Sequence, residues 1–332
     1  MIVKVTIDNN IYRKERIMEK RMLWLGVVIV VVALGSSGAL ATPMGPPTAS
    51  LKQGQFKTGL EYFYSDMDLE MEGGKNVESY TEKYEDWSDS DAGGYKLLDK
   101  TLQAKMNKIY ANLGYGIADN WEVFIRLGGV DGDLDFDLQS AVDLDEYPGA
   151  DPNEVTTINF DGDFTFAYGI GSKATFWEQS PELKWGVLFQ MSWSKLGFES
   201  KSKDVYYYKG KGYPTESGSE STELNISEIQ IAVGPTWTPS EGFSIYGGPF
   251  LQFIDGDFTH KFDGMWIDYD EDGSVDGTGT EYENSSFDVS EDSCFGGYIG
   301  AQFNLKESCN LTTELAFTGD GWGLGASIAL AF

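Results

Sequence analysis

Asp268, Asp270, Asp272 and Gly273, with Asp276 following, reproduce the D-x-D-x-D-G opening of a calcium loop. In such a loop alternate carboxylates converge on a hard cation and the glycine permits the turn. The motif then stops, because position twelve is Gly279 where a bidentate glutamate is needed. Calcium held by the remaining ligands would bind at the weak end, about 0.1 to 1 mM. Asp-Gly-Asp recurs at Asp131 to Asp133, Asp161 to Asp163 and Asp255 to Asp257. A solvated acidic surface that resists aggregation accounts for the same residues with no cation at all. The expected cofactor is therefore none, or calcium on this loop.

Other reactive residue types form no known constellation. His260 is the only histidine and stands near Asp257 and Asp263, where a solvated loop histidine is the simple reading. Gly319, Gly321, Gly323 and Gly325 run into the chain's last strand with no helix to follow, so they are not a nucleotide loop. Cys294 and Cys309 lie at opposite ends of one predicted strand, roughly 50 Å apart at about 3.3 Å per residue, which excludes a disulfide between them. The remaining pattern is a set of charges at alternate positions: Lys57, Glu61, Lys108, Glu122, Arg126, Lys173, Lys184, Glu228 and Glu314. If they share one enclosed face, each must be paired or wet, and a mixed ion-pair network crossing a lumen is expected.

The elements that would position those charges are strands. In WGLGASIALAF, Trp322 to Phe332, every second residue is apolar and those between are small, a period of two with no charge on either face. Earlier segments repeat the pattern. Phe164, Phe166, Tyr168 and Ile170 alternate with Thr165, Ala167 and Gly169, and Trp185, Val187, Phe189 and Met191 stand opposite Lys184, Gly186 and Gln190. Ten strands emerge, near residues 55–71, 98–117, 121–127, 164–176, 184–194, 228–237, 243–258, 295–305, 311–317 and 322–332. The faces of the seventh are unassigned because Pro249 interrupts a mixed pattern. Connections after strands two, four, six and eight are short, while those after one, three, five and seven are long, acidic and glycine-rich. Trp121, Trp177, Trp185, Trp237 and Phe332 gather at the short-turn ends, where an interfacial aromatic girdle belongs. A soluble all-β sandwich also alternates, but it turns charge outward, whereas these strands keep charge on the glycine-lined face.

A net charge of -29 argues against nucleic acid as a partner. At the N-terminus, Lys20 and Arg21 precede the apolar run Leu23 to Leu34, and Ala39-Leu40-Ala41 is an A-x-A cleavage pattern. Residues 1–41 read as a signal peptide with an over-long start, the alternative being an anchoring helix. Residues 42–54, with three prolines, read as a periplasmic linker, and 55–332 as the barrel.

From Gln55 to Phe332 the chain resembles a small bacterial outer-membrane β-barrel, OmpA-like in the broad sense and porin-like. GYGIADNWEVFIRLG (Gly114 to Gly128) and the terminal IALAF carry the resemblance. It implies an antiparallel up-and-down transmembrane barrel in the cell outer membrane of a Gram-negative-type bacterium. Outer-membrane lipid would be one partner and the barrel assembly machinery, reading the C-terminal strand, another. Omptin proteases are also ten-stranded and use an Asp-x-His pair at the long-loop rim; here Phe258 and Thr259 precede His260, so that pair is missing and no enzyme is expected. The function implied is a structural or surface-interaction role, with a narrow pore for passive diffusion as the alternative.

Overall fold

The computed structural model of the chain describes residues 43–84, 88–93, 101–139, 155–208, 211–269, 274–306 and 308–332. The segments 73–84, 88–93, 136–139, 155–161, 199–208, 211–216, 268–269 and residue 276 are described by backbone alone. The strands are β1 (Phe56–Tyr84), β2 (Ser88–Gly93), β3 (Thr101–Ala118), β4 (Trp121–Gln139), β5 (Val155–Asp161), β6 (Thr165–Glu178) and β7 (Leu183–Tyr208). They continue as β8 (Lys211–Ser240), β9 (Phe243–Tyr269), β10 (Val275–Ser290), β11 (Phe295–Lys306), β12 (Cys309–Thr318) and β13 (Gly321–Ala331).

All pairings are antiparallel, and the sheet closes on itself because β1 pairs with β3 on one side and β13 on the other. Ten strands complete the ring among the described residues: β1, β3, β4, β6, β7, β8, β9, β11, β12 and β13. At the level of these ten strands closure leaves the ring no free edge, which is what lets a sheet stand in hydrocarbon. The last strand is held at the seam, where Phe332 and Phe56 exchange both backbone hydrogen bonds at 2.9 Å.

Several strands run on well past the expected boundaries. Above the level where β11, β12 and β13 end, the single strand β10 takes their place between β9 and β1. The ring thus loses two strands and narrows, toward the size at which side chains alone fill a barrel.

The polarity of the two faces inverts at the same level. On β3, Ile109, Leu113 and Tyr115 are exposed outside while Lys108, Tyr110 and Asn112 are buried inside. One turn of the pleat higher, Met106, Ala104 and Leu102 are the buried residues and Lys105 and Gln103 face out. β1, β4, β8 and β9 change phase in the same way. The lower part is therefore apolar outside and polar within, as lipid requires. The narrower upper part is an ordinary apolar core, including Met67, Leu134, Phe198, Leu224, Phe258 and Phe287, with carboxylates such as Asp66, Asp133 and Asp257 on its outer wall.

Trp121, Trp177 and Trp237 stand about half exposed near the short turns, and Phe332 is 71% exposed. The unassigned faces of β9 have a plain cause. Tyr246 and Phe250 point inward against Tyr298, so both faces of the strand are aromatic and no alternation shows.

Candidate functional site

The lumen of the lower barrel is filled by a polar network, because strand geometry places every second side chain of the wall inside. Lys108 on β3 reaches across to Glu228 on β8, with Nζ to Oε2 at 3.0 Å and both side chains almost wholly buried. Glu228 also accepts hydrogen bonds from Ser192, Gln230 and Gln252. Arg126 on β4 pairs with Glu61 on β1 at 2.6 Å and donates to Gln190, which in turn donates to Gln230. Lys57 pairs with Glu122 at 3.0 Å, and Asn112 donates to Glu61. Charges out of bulk water are stable where they are both paired and hydrogen-bonded, as Glu228 is by Lys108 and three neutral donors.

Eight of the nine charges singled out from the sequence thus face one enclosed space. Lys184 does not join them: it pairs with Glu178 across the β6–β7 turn, at the exposed rim. The amides Gln190, Gln230 and Gln252 were not singled out, although each sits at an inward position and Glu228 depends on two of them.

The segment expected as a periplasmic linker is instead part of this site. Residues 43–51 enter the ring, and Met44, Thr48 and Leu51 are buried there. Glu314 on β12 accepts the N–H groups of Met44 and Gly45 at 2.8 and 2.7 Å. Glu122 accepts those of Ser50 and Leu51, Arg126 donates to the carbonyl of Pro43, and Thr48 meets Thr236 of β8 at 2.8 Å. Met44 packs with Phe63, Tyr246, Phe250 and Tyr298. The physical reason is reciprocal need: buried carboxylates on the wall require donors, and an irregular proline-rich backbone has unpaired N–H groups to offer. The wall leaves room for it. A Cβ on Gly186 would lie 2.5 Å from the Pro47 carbonyl oxygen, and one on Gly116 would lie 2.0 Å from that of Lys52. A cavity of about 50 Å³ remains beside the segment, bordered by Glu61, Arg126, Lys173 and Glu314.

His260 is not a solvated loop residue. It points inward from β9 in the upper barrel, with Nδ1 2.9 Å from the Thr222 hydroxyl and 3.8 Å from Glu220. The calcium motif falls largely outside the described residues: Asp270 and Asp272 are not described, and Asp268 and Asp276 are described by backbone alone, at the facing ends of β9 and β10. Among the described residues no cluster of His, Cys, Asp and Glu has metal-binding geometry. Cys294 and Cys309 are both free thiols, at opposite ends of β11.

No protein-family model and no curated protein sequence matches the chain. Solved structures do share its architecture. The outer-membrane protease OmpT of Escherichia coli is 9% identical, with a TM-score of 0.39 over 86% of this chain and 98% of that one. The outer-membrane protein OprG of Pseudomonas aeruginosa is also 9% identical, with a TM-score of 0.31 over 85% and 97%. Ail, the attachment invasion locus protein of Yersinia pestis, is 10% identical with a TM-score of 0.24, covering 84% of this chain and 99% of that one. Likenesses with identities and TM-scores this low carry no argument about what the chain does. With its closed antiparallel ring, apolar outer band and charged interior, the chain is a β-barrel of the outer-membrane kind.

Proposed function

We propose that this protein is a closed, non-enzymatic barrel of the outer membrane that serves a structural or surface-interaction role. The observation that carries the reading is that the interior is occupied along its whole described length. Residues 43–51 fill the lower part, the Lys108–Glu228 and Arg126–Glu61 network spans the middle, and an apolar core fills the narrower top. A pore would need water through every one of these levels, and the apolar core excludes it from one. The alternative of a narrow diffusion pore therefore asks for two independent displacements. What remains available for recognition is the outside of the upper barrel, where Asp66, Asp131, Asp133, Asp255 and Asp257 lie just above the lipid-facing band. In this reading outer-membrane lipid surrounds the lower band, and the assembly machinery recognises the C-terminal strand ending in Phe332. Calcium on the Asp268–Asp276 loop would order that loop without being needed for the barrel. The test is conductance of the purified barrel in a planar bilayer. The parent protein should add no steps to the lipid baseline, and a variant lacking residues 43–50 should stay silent because the apolar core persists. Steady ohmic steps from the parent would overturn the reading.

A further inference from the structure

On the outer face, β6 to β9 carry two neighbouring rungs at the height where the wall changes from apolar to polar. One rung is Tyr168, Trp193, Ser227 and Asp255, paired in sequence across four strands. The next rung up includes Lys195, Asn225 and Asp257. Together with Phe166 they border a groove of about 470 Å³, within the range of small-molecule sites. The groove has two unlike ends. At one, the rings of Tyr168 and Trp193 stack with centroids 5.2 Å apart and planes 21° from parallel, and Phe166 extends the surface at 5.7 Å. At the other, Ser227, Asn225, Asp255 and Asp257 present hydroxyl, amide and carboxylate groups. Immediately below, Ile170, Met191, Ile229 and Phe253 form an all-apolar rung within the lipid-facing band.

We infer that this groove holds the uncharged sugar head of a membrane glycolipid, with the lipid chains lying on the apolar rung beneath it. The inference rests on the barrel standing in a bilayer, since the lipid-facing band is what delivers the chains to this place. A sugar ring offers one face of C–H groups, which suits a stacked aromatic platform, and an edge of hydroxyls, which suits planar amides and carboxylates that accept hydrogen bonds. Charge decides against a phosphate head. Lys195 is already paired with Glu223 at 2.8 Å, so Asp255 and Asp257 leave the polar end negative and repel an anion. An aromatic girdle alone would explain Tyr168 and Trp193 but not the polar wall that continues their rungs.

The experiment places the full-length mature barrel in vesicles of dioleoylphosphatidylcholine containing equal shares of monoglucosyl-dioleoylglycerol and dioleoylphosphatidylglycerol. After extraction into a zwitterionic detergent, native mass spectrometry counts the lipids retained. The glucosyl lipid should be retained several-fold over phosphatidylglycerol, and Trp193→Ala should lower that preference about fivefold to tenfold. Trp193→Phe should keep most of it, and Asn225→Ala, at the polar end, should lower it independently. Equal retention of the two lipids by the parent, a preference for phosphatidylglycerol, or an unchanged preference in Trp193→Ala would overturn the inference. Gel migration before and after boiling reports the folded barrel separately, so equal retention of the two lipids by a folded parent counts against the groove and leaves the membrane reading standing.

Discussion

Replacing Lys108 by methionine probes whether the network across the lumen acts as a coupled unit. Methionine has nearly the same length and volume, so the change removes a charge without opening a cavity. What it leaves is Glu228, 3% exposed, with its cationic partner gone. Severing a buried pair from one side costs about 3 to 5 kcal/mol. Glu228 keeps three neutral donors, Ser192, Gln230 and Gln252, which places the cost near the lower bound, ~3 kcal/mol. At about 2 °C per kcal/mol for a domain of this size, the unfolding midpoint should fall by roughly 6 °C. The double variant Lys108→Met, Glu228→Gln removes both charges and leaves an amide among amides, so it should recover most of the loss, to within about 1 kcal/mol of the parent. Gel migration of detergent-solubilised barrel after heating to graded temperatures gives the midpoint, and urea unfolding in lipid vesicles checks it. A midpoint for Lys108→Met within about 1 °C of the parent, or a double variant no better than the single, would refute the claim that these two charges face each other in an enclosed space.

Arg126→Leu should also lower the midpoint, by about 3 to 5 kcal/mol, because it strands Glu61 and frees the Pro43 carbonyl together; an unchanged midpoint contradicts the enclosure. Deleting residues 43–50 should leave a folded barrel whose Glu122 and Glu314 become wet, seen as a lower midpoint and faster proton exchange in the lower strands; exchange equal to the parent's would show that the segment is not seated inside. In the β10–β11 connection, burial, reinforced by Asp320 and Asp255, pushes the Glu291 carboxyl above its ordinary 4.5. A raised folded value means that the stabilising contribution is complete below the unfolded value and is lost as pH rises through the folded one. Glu291→Gln should therefore lose less stability than the parent as pH rises above the ordinary carboxyl value of 4.5, and identical pH slopes would exclude this. Calorimetry with calcium should show weak binding by the parent, about 0.1 to 1 mM, and none by the Asp270→Asn, Asp272→Asn double variant; equal heats from both remove the calcium proposal.

Much of the barrel is written in the alternation of single strands. A period of two with small or charged residues on one side and large apolar ones on the other fixes which face meets lipid, and Trp322 to Phe332, with only small residues on its inner side, shows it with no help from neighbours. The same parity places Lys57, Glu61, Lys108, Glu122, Arg126, Lys173, Glu228 and Glu314 on one side of the wall. Even the change of phase above the membrane is visible once sought: after Tyr62 and Tyr64, the apolar parity passes to Met67, Leu69 and Met71. Reading it as a continuation rather than as loop requires knowing that the sheet stays closed above the lipid. That depends on β10 crossing from β9 to β1, a long-range pairing no local pattern announces.

Tertiary structure alone decides which charges meet. Lys108 and Glu228 stand on opposite sides of the ring, and Lys184, of equal parity, ends at the rim beside Glu178 because its height on the strand places it beyond the lumen. The fate of residues 43–51 is likewise invisible in the sequence, where prolines and small residues read as linker. Their place is set by carboxylates more than 70 residues away, Glu122 and Glu314, whose burial makes a backbone N–H the cheapest available partner.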